Sequence, residues 1–321
     1  MYIQKIFPLV TGAIKHIPGI KSLLSKSTGG TNNARYCYSV WLRHLHFLNR
    51  YNNNKIPEVI AELGPGDSIG IGLSALLSGA KKLFLFDVID YTDKDRNLKV
   101  FDEIYELFKN RASIPDNNEF PKVKPFLENY SFPSDVLTNK VLDCSLDEFR
   151  IEKIRNEIKN ITNESNEIIH YRVPWYEYSI IDEGSIDLIY SQAVLEHIDD
   201  LKNTYEAMAK WLKPNAFMSH TIDFKSHGIT KLWNGHWLFN HLEWEIVKGG
   251  KVYLLNRQPL SKHINLHKEF NFNILFHKKV EKTNEISNKY LAKEFRTLSD
   301  EDLTTTGVYI LSKKDIVRSS E

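Results

Sequence analysis

A pair of glycines between a short apolar run and a helix-like stretch constrains the fold more than any other feature of the chain. The run 59–63 has the length and β-branched character of a buried strand, and Gly64 and Gly66 follow it. Residues 68–77 are small and apolar and are predicted to form a helix. A second apolar strand is predicted at 82–88. A strand–helix–strand unit of this length predicts parallel strands joined by a right-handed crossover.

The remaining strands follow the same pattern after one long interruption. Apolar and β-rich segments predict five of them: 168–173, 186–191, 216–222, 270–280 and 307–312. A helix is predicted at 201–212, and a turn at Pro214-Asn215 is expected to lead from it into the strand at 216–222. The last two strands are expected to form an antiparallel pair at the sheet edge. The fold class is therefore α/β, with a doubly wound, seven-stranded and mostly parallel sheet.

The interruption and the N-terminal segment predict the domain organisation. Residues 1–55 are predicted to form short helices broken by Pro8 and Pro18, which we interpret as a helical lid. Residues 56–321 are expected to be the main domain. Within it, a helical and proline-bearing stretch at about 90–167 is much longer than a usual α/β connection. We interpret that stretch as an inserted cap.

Charge is distributed unevenly along the chain. The formal net charge is only +1, yet no acidic residue precedes Glu58, and the segment before it carries +8. The rest of the chain, from Glu58 onward, therefore carries a net charge of −7. The basic N-terminal arm is expected to meet something anionic: a membrane surface, a phosphorylated substrate or the acidic body of the protein itself. The near-neutral total argues against a nucleic-acid partner.

Composition indicates a globular chain in a reducing compartment. Hydrophobic residues make up 42% and charged residues 26%, which is typical of a chain with a packed core. Cys37 and Cys144 are too few for a disulfide framework. No run approaches the roughly 20 apolar residues of a membrane span, and no signal-peptide pattern is evident. A cytoplasmic location is expected, with membrane association through the basic arm.

The glycine bend indicates a ligand site, and its spacing narrows the choice of ligand. Glycines let the backbone approach a ligand closely, and the following helix offers unpaired N–H donors. A dinucleotide turn places its third glycine five residues after the first, whereas Gly70 follows Gly64 by six. The carboxylate of Glu62, just before the bend, suits a cationic sulfonium ligand better than a pyrophosphate. Asp87, at the end of the second strand, is placed to accept hydrogen bonds from ribose hydroxyls.

These residues resemble the class I S-adenosylmethionine-dependent methyltransferases. The resemblance comprises the Glu-x-Gly-x-Gly turn, the acid Asp87 and the segment 185–197, which ends in Leu-Glu-His. It implies a Rossmann-like methyltransferase fold with S-adenosylmethionine as the cofactor. It also implies cofactor contacts at nine residues: Glu62, Gly64, Gly66, Asp67, Ser68, Asp87, Val88, Ser191 and Gln192.

Candidate catalytic residues follow the strand predicted at 216–222. Methyl transfer is an in-line displacement, so the protein aligns the acceptor and removes a proton where the acceptor needs it. Asp223, His227 and His236 lie beyond the carboxyl end of that strand, where open α/β sheets bind their ligands. Histidine is an effective base near neutral pH. The spacing matches no named metal site, and no metal is expected.

Candidate acceptor-binding residues come from the same region. Trp233 and Trp237 offer faces on which a sugar ring stacks, although ordinary burial explains such residues equally well. Arg257 is a candidate for holding a phosphate or carboxylate of the acceptor, and a surface role is the alternative. His197, in the Leu-Glu-His triplet, is expected to shape the chain after the fourth strand rather than to act in catalysis.

The predicted function is methyl transfer to a small or terminal acceptor. The chain as a whole resembles bacterial methyltransferase-domain proteins of surface-glycan and lipid-linked saccharide pathways, which implies a hydroxyl of a sugar or saccharide precursor and a role in polysaccharide biosynthesis. Two alternatives stay open: an N-methyltransferase of a small amine metabolite, and a catalytically inactive methyltransferase fold that binds a partner. A nicotinamide-dependent reductase is the weakest competitor because of the glycine spacing.

Overall fold

A seven-stranded sheet forms the centre of the structure, a computed structural model that describes residues 2–15, 30–175, 178–249 and 254–315. The strands are β1 Val59–Leu63, β2 Lys82–Phe86, β3 Ile169–Arg172, β4 Ile186–Gln192, β5 Leu212–Asp223, β6 Phe272–Glu281 and β7 Thr305–Lys314. The central strands are apolar along nearly their whole length because helices cover both faces of the sheet.

Ten α-helices are described around this sheet. They are α1 Tyr2–Lys15, α2 Ala34–Asn49, α3 Gly70–Leu77, α4 Lys94–Lys109, α5 Asn139–Ser145, α6 Glu148–Lys159, α7 Leu201–Trp211, α8 His241–Lys248, α9 Leu260–Glu269 and α10 Asp300–Thr304. Side chains of Asn33, Asp93, Thr138, Asp147 and Asp200 cap helix N-termini by accepting backbone N–H bonds. Among the helices of these ranges, none combines the length and hydropathy of a membrane span.

The strand order is β3-β2-β1-β4-β5-β7-β6. The pairs from β3 to β5 are parallel, and β7 runs antiparallel to both of its neighbours. The predicted doubly wound, seven-stranded and mostly parallel sheet is therefore confirmed. The chain leaves β1 in one direction and returns to add β4 on the other side, so a crevice is expected at the carboxyl ends of β1 and β4.

Two apolar clusters pack on the sheet. One is built from α2, α3, α4 and α6 together with residues of the central strands, and the other mainly from α7, α9 and strand residues. In α2, twelve of the 16 residues are buried, and Arg43 there is fully buried with its guanidinium donating to backbone carbonyls of Pro115, Val123 and Pro125. This helix is thus built into the helical layer over the sheet.

The long segment at about 90–167 supplies α4, α5 and α6 and an irregular stretch between α4 and α5. Here α4 contacts α2 and α3, while α6 contacts β3. The buried side chains of these three helices belong to the same apolar cluster as those of α2 and α3. Its interpretation as an inserted cap, like the division of the chain at residue 55, stays a prediction.

Pro8 does not break the first helix, contrary to the sequence expectation. Helix α1 continues through it, because one missing N–H is a limited loss when tertiary contacts hold the helix in place. Lys5 pairs with Glu243 of α8 at 2.5 Å, and Gly12 lies so close to the backbone of Ile246 that a β-carbon would collide with it. Pro18, the second expected break, lies outside the described residues.

The start of β5 also differs from the expectation. The sequence predicted a turn at Pro214-Asn215 and a strand from residue 216, whereas β5 begins at Leu212 directly after α7. The strand pairing shifts register between Ile186 and Leu188, and Asn215 takes a left-handed conformation with φ of 66°. The turn-forming residues therefore create an irregularity within a longer strand instead of ending it.

Candidate functional site

The glycine bend lies at the carboxyl end of β1, where the sheet topology places the crevice. Gly64 and Gly66 have φ of 67° and 74°, in the left-handed region that disfavours residues with a β-carbon. A β-carbon on Gly64 would lie 2.6 Å from Cγ2 of Val194, in the segment that follows β4. Gly64 is therefore required both by the turn and by the close approach of that segment.

Glu62 is a buried acid immediately before the bend. Its side chain is 2% exposed, and its Oε2 has no hydrogen-bond partner. Burial raises the pKa of Glu62 to about 8, while the nearby Tyr190 hydroxyl and the Gly72 amide act in the opposite direction. A buried and unsatisfied carboxyl oxygen is costly in an isolated protein, so it marks a place where a donor is expected to bind.

Asp87 follows β2 and lies beside the bend. Its Oδ1 accepts the N–H groups of Val88 at 2.7 Å and Ile89 at 3.4 Å. Burial raises the pKa of Asp87, and these amides together with that of Gly66 act in the opposite direction. The Gly66 amide therefore links the acid to the bend, and Val88 next to it is exposed.

Asp67 and Ser68 fix the chain after the bend to elements that the sequence did not indicate. Ser68 donates its hydroxyl to the backbone carbonyl of Thr31, and its N–H donates to the Thr31 hydroxyl at 3.0 Å. Arg96 of α4 donates to the backbone carbonyl of Asp67 at 2.6 Å. Thr31 and Arg96 carry no motif, because only the fold brings them to the bend.

The side chains of Ser191 and Gln192 contact histidines of β5 and α2, respectively. The Ser191 hydroxyl is fully buried and lies 2.8 Å from Nδ1 of His220, and Oε1 of Gln192 lies 3.3 Å from Nε2 of His44. Contacts of these two residues with a cofactor stay a prediction.

The three candidate catalytic residues lie together beyond β5. Nε2 of His227 lies 3.5 Å from Oδ2 of Asp223, and Lys225 contacts the same oxygen at 2.9 Å. Burial alone would raise the pKa of Asp223, but His227 and Lys225 outweigh it and lower the pKa. His236 is fully buried, which together with Arg257 and His227 lowers its pKa to about 3. At neutral pH His236 is thus an uncharged neighbour of the Asp223–His227 pair.

Glu196 and His197 join this group, although the sequence assigned them no chemical role. Glu196 is 3% exposed, and its Oε1 accepts the backbone N–H of Asp223 at 3.3 Å. The imidazole ring centres of His197 and His227 are 5.1 Å apart. The Leu-Glu-His triplet was the signal available in the sequence, but its proximity to His227 depends on the packing of β4 beside β5.

Strained backbone is concentrated at this edge of the sheet. Ala193, His227 and Arg257 have φ of 54°, 47° and 63°, values that cost residues with a β-carbon about 1–2 kcal/mol each. The Ala193 N–H donates to Thr221 of β5, and the Asn256 side chain donates to two backbone carbonyls beside Glu196. Such conformations persist where surrounding contacts impose them, which is typical of functional sites.

The candidate acceptor-binding residues form an aromatic block next to His236. Trp237 is fully buried and donates its Nε1–H to the backbone carbonyl of Arg257 at 2.9 Å, and Trp233 is 5% exposed. The Arg257 guanidinium lies over the rings of Trp244 at 4.8 Å and Phe295 at 4.9 Å. The tryptophans are packed inside this block, so their direct stacking on a sugar stays a prediction.

Sequence comparison matches one segment of the chain to a known family model. Residues 139–219, from α5 into β5, match the family model described as "Methyltransferase domain". None of the curated proteins matches the chain in sequence. The chain resembles solved structures only distantly. An S-adenosylmethionine-dependent methyltransferase from Methanosarcina mazei is 12% identical, with 83% of this chain and 96% of that chain covered and a TM-score of 0.42.

Two further structures show the same level of likeness. An S-adenosylmethionine-dependent methyltransferase from Mesorhizobium loti is 10% identical over 84% of this chain and 95% of its own, with a TM-score of 0.40. Phosphoethanolamine N-methyltransferase 2 of Haemonchus contortus, solved with S-adenosyl-L-methionine, is 13% identical over 86% of this chain and 53% of its own, with a TM-score of 0.42. Likeness at this level does not discriminate between functions.

The sheet order, the glycine bend after β1 and the matched segment 139–219 agree with the methyltransferase fold expected from the sequence. Membership of the class I S-adenosylmethionine-dependent methyltransferases, with S-adenosylmethionine as the cofactor, stays a prediction. The residues at the bend fit this cofactor: the orphaned Oε2 of Glu62 is a buried acceptor, and Asp87 offers a carboxylate at the end of β2. The assignment of individual contacts stays a prediction.

Proposed function

We propose that this methyltransferase transfers a methyl group to a hydroxyl of a small or terminal acceptor, such as a sugar or saccharide precursor. The observation that carries the proposal is the Asp223–His227 pair, whose side chains lie 3.5 Å apart at the carboxyl end of β5. A hydroxyl acceptor must lose a proton as it reacts, and a paired carboxylate and imidazole is suited to accept it.

The cofactor is proposed to lie across the glycine bend. The backbone at Gly64 and Gly66 lines its methionine end, Glu62 lies close to that end, and Asp87 accepts the ribose hydroxyls, with Val88 beside the adenine. S-adenosylmethionine supplies an activated methyl group on a sulfonium sulfur. The acceptor oxygen forms a bond to the methyl carbon while the carbon–sulfur bond breaks, and the proton leaves to the Asp223–His227 pair.

The short path from the bend to the catalytic group supports this arrangement. Val194 contacts Gly64, and Glu196 follows it by two residues, which span at most about 7 Å of chain. Glu196 in turn contacts the backbone of Asp223. The proton acceptor and the cofactor bend are therefore neighbours across the segment that follows β4.

Arg257 is proposed to hold an anionic group of the acceptor. A cavity of about 610 Å³ opens beside it, lined by Asn240, His241, Leu242, Asn256, Gln258, Glu294 and Phe295 as well. Burial lowers the pKa of Arg257 to about 10, which still leaves it charged at neutral pH. Arg257 also contributes to the lowered pKa of His236, which supports a position of this cavity near the proposed catalytic group.

Contact with an anionic membrane surface is a second part of the proposal. Helix α1 exposes Ile6, Phe7 and Val10, and the adjoining α8 exposes Leu242 and Ile246. Apolar side chains beside a basic segment are typical of helices that lie at a lipid surface. Co-sedimentation of the protein with anionic and with uncharged vesicles tests this part of the proposal. A larger fraction of the protein should sediment with the anionic vesicles, and equal fractions with both would contradict it.

A methyl-transfer assay tests the main proposal. The purified chain, S-adenosylmethionine and a panel of sugars, sugar phosphates and small amines would be incubated, and the products analysed by mass spectrometry and NMR. O-methylated sugars are the expected product. N-methylated amines would favour the alternative acceptor class, and absence of turnover with retained cofactor binding would favour a binding protein.

A further inference from the structure

We propose that Glu196, His197 and His227 form a binding site for a zinc-like divalent cation beside the acceptor position. Each of the three residues offers one ligand atom, and the three atoms lie within 4.8 Å of one another. Two imidazole nitrogens and one carboxylate oxygen are a donor set that zinc binds in catalytic sites, with a further position left open. This inference rests on the proposed methyl transfer, because it adds a cation to the proposed catalytic group that includes His227.

An unsatisfied buried oxygen belongs to this group. Only 3% of the Glu196 surface is exposed. Its Oε2 has no hydrogen-bond partner, whereas its Oε1 accepts the backbone N–H of Asp223 at 3.3 Å. Nδ1 of His197 is likewise buried without a partner. Glu196 and His197 thus each offer the cluster a buried atom without a protein partner, and a divalent cation would satisfy both.

The geometry is close to that of a bound site and needs only small adjustments. Tetrahedral bonds of about 2.1 Å place ligand atoms about 3.4 Å apart, so the present separations require movements of roughly 1 Å. His227 can supply that movement because its side chain is 29% exposed. Glu196 and His197 are held more firmly, since Asn256 donates to backbone carbonyls on both sides of them.

Asp223 completes the surroundings expected of a metal-bound histidine. Its Oδ2 lies 3.5 Å from Nε2 of His227, and ligand histidines commonly have a carboxylate on their second nitrogen, which orients the ring. With a cation bound, His227 is a ligand, and Asp223 is the group left to receive the acceptor proton. The cation stabilises the developing charge on the acceptor oxygen.

Calorimetry with zinc alone tests the site without measuring activity. Chelator-treated full-length protein would be titrated with ZnCl₂, and one ion per chain is expected to bind. His227→Ala and Glu196→Gln should each weaken zinc binding by about 100-fold or more. His277→Ala, which removes an exposed histidine of β6, is the matched control and should leave binding unchanged.

If Glu196→Gln fails to fold, the His227→Ala variant still tests the site, because the His227 side chain is partly exposed and its removal disturbs the fold less. Zinc binding that is absent from the wild type, or undiminished in His227→Ala, would overturn the proposal. Cobalt(II) substitution adds a second readout, because visible absorption bands of a site with two nitrogen ligands should vanish in His227→Ala. S-adenosylhomocysteine binding, measured in parallel, separates the two proposals: retained cofactor binding without zinc binding removes the metal site alone.

Discussion

The side chain of Val194 occupies the space that a β-carbon on Gly64 would need, with Cγ2 only 2.6 Å from that position. The contact joins the bend after β1 to the segment after β4, whose Glu196 contacts the backbone of Asp223. Gly64 also has φ of 67°, so two separate physical reasons exclude a larger residue there.

Gly64→Ala is expected to destabilise the protein by about 1–3 kcal/mol from the collision, in addition to about 1–2 kcal/mol of backbone strain. Gly184→Ala is a matched control, because Gly184 has φ of 61° but nothing within 4 Å of its β-carbon position. Urea unfolding should show the larger loss at Gly64, and Val194→Ala in the Gly64→Ala background should recover part of it. Equal losses at Gly64 and Gly184 would contradict the packing argument.

Asp87→Ala is expected to abolish detectable cofactor binding in calorimetry. Asp87 is proposed to accept ribose hydroxyls, and losing a charged hydrogen bond costs about 1.5–3 kcal/mol, or about 10–150-fold in affinity for each bond. Asp102→Ala, on the exposed face of α4, is the control for an acid distant from the bend. Micromolar binding retained by Asp87→Ala would show that the cofactor is held elsewhere.

Acidification is expected to destabilise the fold. Burial lowers the pKa of five histidines to about 3 or 4, namely His44, His197, His236, His263 and His267. These histidines stay neutral in the folded protein, while in the unfolded chain they take up protons below about pH 6.5. The free energy of unfolding is therefore unaffected by them above about pH 6.5 and decreases as the pH falls toward 4. Glu62, whose pKa burial raises to about 8, acts in the opposite sense between about pH 4.5 and 8.

Urea unfolding between pH 7.5 and 5 measures this effect. The free energy of unfolding should fall by a few kcal/mol, since the five buried histidines outnumber the buried acids Glu62, Asp87 and Glu196, whose pKa burial raises. The slope of the free energy of unfolding against pH measures the protons taken up on unfolding. His267→Gln should reduce that number by up to one, whereas His277→Ala, at an exposed position, should not change it. A stability that is flat over this range would show that the buried histidines are not the titrating groups.

His227→Ala is expected to lower kcat by about 10²–10⁴-fold, the usual contribution of a positioned proton acceptor. Asp223→Asn should also lower kcat, because it removes the charge beside the imidazole. Binding of S-adenosylhomocysteine should be unchanged in both variants, since neither residue belongs to the bend. A kcat equal to the wild type in His227→Ala would exclude the pair as the proton acceptor.

The sequence predicted the parallel half of the sheet well because local signals there agree with one another. Val59–Leu63 is a mostly apolar run followed by glycines, and the structure begins and ends β1 at those residues. Pro8 and Pro214 were misjudged because their effect depends on partners far along the chain. Helix α1 is held against α8, and β5 is held by its pairing with β4 and β7.

The candidate site was only partly accessible from sequence for the same reason. Asp223 and His227 are four residues apart, so their proximity follows from local chain geometry once β5 is located. Glu196 and His197 precede them by more than 25 residues and meet them only because β4 and β5 are adjacent. Thr31, which lies far before the bend and contacts Ser68, gave no signal at all.

Titration of the wild-type chain with S-adenosylhomocysteine in a calorimeter tests the central claim most directly. The account predicts one molecule bound per chain, with binding lost in Asp87→Ala and undisturbed by an excess of NAD⁺. Absence of binding heat, or displacement of the ligand by NAD⁺ at the same site, would contradict the assignment of the bend after β1 to an adenosyl sulfonium cofactor.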